Sequence, residues 1–86
     1  MEEDATNANI LVVEDMEFEI QKIRSTLEDN GNKITVVHHG LEALQAAKEK
    51  EFELIAVSLN LQEEDGLRLC SHLRSNERTR ATPILM

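Results

Sequence analysis

The sequence predicts an α/β domain in which a parallel sheet carries helices on both faces. Three observations lead there. Short apolar runs, "ILVV" (10–13), "KITVVHH" (33–39) and "ELIAVSL" (53–59), lack the polar alternation of a one-sided strand and read as strands covered on both sides. Between them, apolar residues recur at helical spacing. The two kinds of segment alternate along the chain, which is the order of βαβ units with right-handed crossovers.

Each element follows in turn. Residues 1–9, "MEEDATNAN", are polar and acidic and are expected to be a leader or linker, because they lack the basic start and apolar core of a signal peptide. The first strand ends at Glu14 and Asp15. Met16, Ile20, Ile23 and Leu27 then mark a helix, with Glu17 and Glu19 in its first turn, where the dipole favours negative charge. Asn30 and Gly31 stop it. After the second strand Gly40 opens "LEALQAAKEK", a helix expected to turn Leu41, Leu44 and Ala47 inward. After the third strand, "EEDG" makes a turn. Leu67, Cys70 and Leu73 are expected to form the inner stripe of a third helix, with Leu69 beside it. "RSNERTRAT" reads as a polar connector, and "PILM" as the start of a fourth strand.

Charge and composition narrow the function. The 86 residues make one small domain with an aliphatic core, since the chain has two Phe and neither Trp nor Tyr. A net charge of −8 argues against nucleic acid, whose phosphates need a basic surface. The charge is uneven: residues 1–65 hold sixteen of the seventeen acids, whereas residues 66–86 hold four Arg against Glu77 alone. No apolar run is long enough to span a membrane. Cys70 is the single cysteine, so no disulfide framework exists within the chain, which suits a cytoplasmic protein.

In an open parallel sheet, polar groups at the carboxyl ends of the strands gather along one edge, where such folds hold their sites. Glu14, Asp15, Ser58 and Asn60 are expected to meet there.

"ILVVED" and "ELIAVSLNLQEEDG" make the chain resemble a receiver domain of two-component response regulators. The resemblance implies a CheY-like, flavodoxin-like three-layer fold with strand order 2-1-3-4. It spans residues 10–86 and stops after the fourth strand, without the fourth helix, fifth strand and fifth helix that the family carries. It implies that Glu14 and Asp15 match the acidic pair that holds Mg²⁺, that Ser58 falls on the phosphoacceptor position, and that Asn60 offers only its backbone carbonyl. Asp65 and Gly66 match the Asp-Gly that turns the chain into the third helix. Ser58 departs from the family pattern, because the phosphoacceptor there is an aspartate. "DGLRLCSHLRSNERTRATPILM" further resembles the second, degenerate receiver of PleD-type diguanylate cyclases, in which two receivers precede a GGDEF cyclase domain.

Other residues have an ordinary reading beside a functional one. Glu14 and Asp15 are either a vestigial Mg²⁺ site or an acidic edge in which Asp15 caps the first helix. Asp65 as a substitute phosphoacceptor competes with plain turn chemistry. His38 and His39, adjacent on a strand, point to opposite faces and are poorly placed to share a metal. Cys70 reads as a small buried hydrophobe, and His72 as a helix-surface residue. Phe18 points about 160° away from Ile20 around its helix and is either a surface aromatic or an interface contact. Arg68, Arg74, Arg78 and Arg80 are either a solvated face or a docking surface for an acidic partner. Lys33 is a weak candidate for the receiver contact that cyclic di-GMP makes in PleD-type proteins.

The function expected from these residues is a non-phosphorylatable adaptor with no required cofactor and at most a weak Mg²⁺ site. It would self-associate as a dimer and contact neighbouring receiver and cyclase domains of a parent chain that makes cyclic di-GMP. The segment itself would not be an enzyme. Two alternatives stand beside it: a phosphorylation- or Mg²⁺-responsive switch, and a stand-alone interaction module with another output.

Overall fold

The computed structural model describes residues 8–58, 61 and 66–86. In chain order the elements are β1 (Asn9–Val13), α1 (Glu17–Glu28), β2 (Lys33–Val37), α2 (Gly40–Glu49), β3 (Leu54–Val57), α3 (Gly66–Ser75) and β4 (Ile84–Leu85). The four strands form one sheet in the order β2-β1-β3-β4, and every pairing is parallel. The expected order 2-1-3-4 is therefore observed. The second and third strands are shorter than their apolar runs, because His38 and Ser58 already lie beyond the ladder.

Burial explains why the runs read as they do. Ile10 through Val13 are all buried, since β1 sits between β2 and β3 and is covered on both faces. Leu11 and Val13 face α2 and α3, where they join Ala43, Phe52, Ile55, Val57, Leu69 and Leu73 in the main core. α1 lies on the opposite face and buries Ile20. In β3 only Ile55 and Val57 are sealed, while Leu54 and Ala56 on the α1 side are half-buried. An open apolar groove of about 370 Å³ runs there between α1 and the β3–β4 half of the sheet, lined in part by Ile23, Leu27, Leu54, Ala56 and Leu85.

The helices exist where expected, but two present a different face. α2 packs through Gly40, Ala43 and Ala47, Leu44 is half-buried, and Leu41 stands 76 % exposed. α3 packs through Gly66, Leu69 and Leu73, Cys70 is only half-buried, and Leu67 is exposed. Small residues let a helix lie close to the sheet, so the stripe runs through glycine and alanine rather than through the nearest leucine. α1 ends as its sequence suggests. Gly31 adopts φ 85° and donates its N–H to the Glu28 carbonyl at 3.0 Å, a left-handed stop that favours glycine.

The polar connector after α3 is a built element. Asn76 accepts the Arg78 N–H through its side chain at 3.0 Å, and its carbonyl accepts the N–H groups of Thr79 and Arg80. Thr79 is buried, and its hydroxyl donates to the carbonyl of Leu73. Arg74 closes the turn: its Nη1 donates to the carbonyls of Arg80 at 2.9 Å and Thr82 at 2.8 Å. Thr79 thereby satisfies a carbonyl at the end of α3, and Arg74 satisfies two carbonyls of the connector itself.

Candidate functional site

The carboxyl edge between β1 and β3 gathers the acidic pair and the serine. Val13 and Val57 are register partners, so Glu14 and Ser58 follow side by side on adjacent strands. The Ser58 N–H donates to the Val13 carbonyl at 2.9 Å, and the Glu14 N–H donates to that of Val37 at 3.0 Å. Each strand is thereby pinned just as it leaves the sheet. Glu14 and Ser58 line a cleft of about 200 Å³ whose other walls are apolar, including Val12, Ile23, Ala56, Leu85 and Met86.

The acidic pair divides its labour. Glu14 is buried, and its Oε2 accepts the Met16 N–H at 3.2 Å. Asp15 is half-buried. The N-cap is Met16, in an extended conformation and with no side-chain capping bond. Glu14 satisfies an amide at the helix entry, two residues on. A weak Mg²⁺ site is a matter of ligand number. Among the described residues no cluster of three or more His, Cys, Asp or Glu side chains is placed to hold a metal. Glu14 and Asp15 thus offer two carboxylates and Ser58 a neutral oxygen, which fits at most an ion that keeps much of its own water.

Gly66 closes the same edge from α3. A Cβ at this position would meet the Ser58 carbonyl oxygen at 2.8 Å and the Met86 methyl at 3.3 Å. The close approach of α3 to the end of β3 therefore requires glycine. Asp65 and Asn60 lie outside the described residues.

The remaining candidates scatter. Phe18 is 70 % exposed, as its angular position implied, with Lys22 Nζ 5.0 Å from its ring centroid. Arg68, Arg74, Arg78 and Arg80 are all exposed, with the Arg74 guanidinium turned to the connector. Lys33 is exposed at the start of β2. Burial pushes the Cys70 thiol up, with Arg74 pulling the other way, which describes an unreactive thiol. His38 and His39 follow β2, with ring centroids 6.5 Å apart. Glu42 reaches back to them: its Oε1 accepts the His38 N–H at 2.8 Å and lies 3.7 Å from His39 Nδ1. The hydrogen bond from the His38 N–H, and then electrostatic attraction to His39 and His38, hold the Glu42 carboxyl below the usual carboxylate range. The spacing from His38 to Glu42 was a signal for that contact. The roles of Arg74 and Thr79 had none, because they depend on how the chain returns after α3.

Comparison with known proteins agrees with this geometry. A family model described as the response regulator receiver domain matches residues 10–86. The chain is 36% identical over 75 residues to a probable histidine kinase 1 of Oryza sativa subsp. indica, covering 87% of this chain and 8% of that protein. It is 31% identical over 77 residues to the polar-differentiation response regulator DivK of Brucella ovis, covering 90% of this chain and 63% of DivK. The fold superposes on chemotaxis response regulator CheY4 of Vibrio cholerae with TM-score 0.87 and 30% identity, over 93% of this chain and 67% of that one. It also matches the receiver domain of sensor histidine kinase PA1611 from Pseudomonas aeruginosa, whose structure holds a magnesium ion in its active-site cleft. That match has TM-score 0.84 and 28% identity, covering 91% of this chain and 64% of that one. The chain therefore spans under two thirds of DivK and a small fraction of the rice kinase. Among the described residues no helix is long and apolar enough to cross a membrane.

Proposed function

The chain belongs to the response regulator receiver family, and on that premise we propose that it is a receiver that accepts no phosphoryl group and serves as an adaptor holding subunits together. One observation carries this reading: the residue beside Glu14 at the end of β3 is Ser58. Phosphoryl transfer from a phosphohistidine needs an ionised nucleophile in line with phosphorus and a divalent cation on the oxygens. A carboxylate is ionised at neutral pH, and a serine hydroxyl is not unless a base takes its proton. Glu14, the carboxylate adjacent in register, already spends Oε2 on the Met16 N–H. With serine in place of a third carboxylate, the edge also loses much of its hold on Mg²⁺.

The output we propose is cyclic di-GMP, in a cytoplasmic parent chain of PleD type. The support is the likeness of "RSNERTR" and its surroundings to the second receiver of that family. Joining two GTP molecules requires two cyclase domains to face each other, so a module that only pairs subunits is mechanistically sufficient.

Acetyl phosphate with Mg²⁺ tests the first part. The expected mass spectrum shows no phosphoryl adduct, and beryllofluoride leaves the NMR signals of Glu14, Asp15 and Ser58 where they were. An acyl phosphate on any carboxylate would restore the switch reading and end this one. The coding sequence beyond Met86 tests the second part, since the cyclase output requires a GGDEF domain there. Another output domain would leave an adaptor of a different system.

A further inference from the structure

The chain has six asparagines, and Asn30 alone among them is followed by glycine. The pair matters chemically. A backbone nitrogen can attack the side-chain amide carbon of the asparagine before it and close a cyclic imide. A side chain on the attacking residue crowds that approach, and glycine has none. Asn30 and Gly31 are both exposed, in the turn that stops α1.

The structure engages both reacting groups. The Gly31 N–H donates to the Glu28 carbonyl at 3.0 Å, so the nucleophile's proton is held in the last turn of α1. The nitrogen that would leave, Asn30 Nδ2, donates to the Thr26 carbonyl at 2.9 Å. Ring closure requires both bonds to break. Exposed helix ends are where such local opening is easiest. The last turn of α1 has no basic residue, and Glu28 and Asp29 put negative charge at the end of the dipole that disfavours it.

We propose that Asn30 is a site of spontaneous deamidation, gated by the opening of this turn. The Gly31 nitrogen gives up its proton and bonds to Asn30 Cγ. The Cγ–Nδ2 bond breaks, and the nitrogen takes up a proton and leaves as ammonia. Water then opens the imide. Cleavage between the Gly31 nitrogen and Cγ gives aspartate. Cleavage between that nitrogen and the main-chain carbon of residue 30 gives isoaspartate, whose chain runs through the side chain with one extra atom.

The product falls on a junction. Asn32 donates to the Leu27 carbonyl through its backbone N–H at 3.3 Å and its Nδ2 at 3.1 Å, and its Oδ1 accepts the Ala8 N–H at 3.4 Å. The Lys33 N–H donates to the Ala8 carbonyl at 2.8 Å. The end of α1 is thereby tied to the starts of β1 and β2. An isoaspartate displaces Gly31 from Glu28, and either product adds a negative charge beside Glu28 and Asp29. Ageing of the molecule therefore loosens the seam between α1 and β2. The inference is independent of the adaptor and cyclic di-GMP readings.

The test incubates the 86-residue chain at neutral pH, folded or in guanidinium chloride, and maps acid formation by peptide mass spectrometry. In denaturant, Asn30 is expected to convert before the other asparagines, with isoaspartate among its products. In the folded chain the conversion should be at least about tenfold slower, because only the open turn reacts. Chain aged in denaturant and then refolded should exchange its Asn32–Val37 amides faster than fresh chain. Asn30→Gln, whose longer side chain closes a larger ring far more slowly, should show neither the acid nor the faster exchange. Conversion at another asparagine first, equal rates folded and unfolded, or unchanged exchange after ageing overturns the proposal.

Discussion

The carbonyl oxygen of Ser58 stands 2.8 Å from where a Cβ on Gly66 would lie. The end of β3 and the start of α3 are therefore in backbone contact, and one methyl group has no room between them. Gly66→Ala forces the strand end or the helix to shift, which costs about 1–3 kcal/mol as overpacking does. Urea unfolding of the variant measures the loss. A stability equal to the wild type would mean that the edge yields freely.

Ser58→Asp supplies the carboxylate that the edge lacks. With Glu14 and Asp15 it makes three anionic oxygens available to a divalent ion. Mg²⁺ affinity is expected to rise about tenfold or more, which corresponds to ~1.4 kcal/mol. Isothermal titration of both proteins decides it, and equal affinities would count against any metal role for the acidic pair.

Arg74 and Thr79 hold the connector that delivers the chain to β4. Arg74→Ala removes donors to the carbonyls of Arg80 and Thr82, with an expected cost of about 1–2 kcal/mol. Thr79→Val leaves the Leu73 carbonyl without its hydroxyl donor and should cost about 1 kcal/mol or more. Both variants should speed amide exchange in β4 before β1 is affected. Uniform exchange along the sheet would show that the connector does not guide that strand.

The phase of α3 separates two leucines that the sequence treats alike. Leu73 is fully buried, and Leu73→Ala is expected to cost about 2–5 kcal/mol, enough to threaten a small domain whose whole stability is about 5–15 kcal/mol. Leu67 is 65 % exposed, and Leu67→Ala should stay within about 0.5 kcal/mol. Chemical denaturation compares them directly.

Glu42 predicts an acid dependence. Its folded pKa lies below the ordinary value, so the folded state binds its proton less readily than the unfolded chain does. Its contribution is fully present above the ordinary glutamate pKa of about 4.3 and is lost as pH falls through the lower folded value. Glu42→Gln should remove that part of the acid sensitivity, seen as a shallower fall of melting temperature between neutral and acid pH. An unchanged profile would assign the sensitivity to other carboxylates.

The sheet was legible in the sequence because its signal is contiguous. Ile10–Val13 are apolar without interruption, and β1 is the strand with both faces covered. Helix phase was less so. Counting leucines put Leu41 and Leu67 inward beside Ala47, whereas close packing kept Ala47 and selected Gly40, Ala43 and Gly66, whose small size carries little apolar weight in a periodicity. The site was legible to the extent that it sits at strand ends: Glu14 and Ser58 were found that way. Its local wiring was not. The bond from Met16 N–H to Glu14 depends on backbone direction at the helix entry, and the Arg74 clamp depends on a return of the chain eight residues later.

β1 has neighbours on both sides, while β4 has two residues and is tied within the sheet to β3 alone. Resistance to opening must then be greatest where β1 is held from both sides. Amide exchange should accordingly be slowest in β1, where opening breaks pairings to β2 and β3 at once.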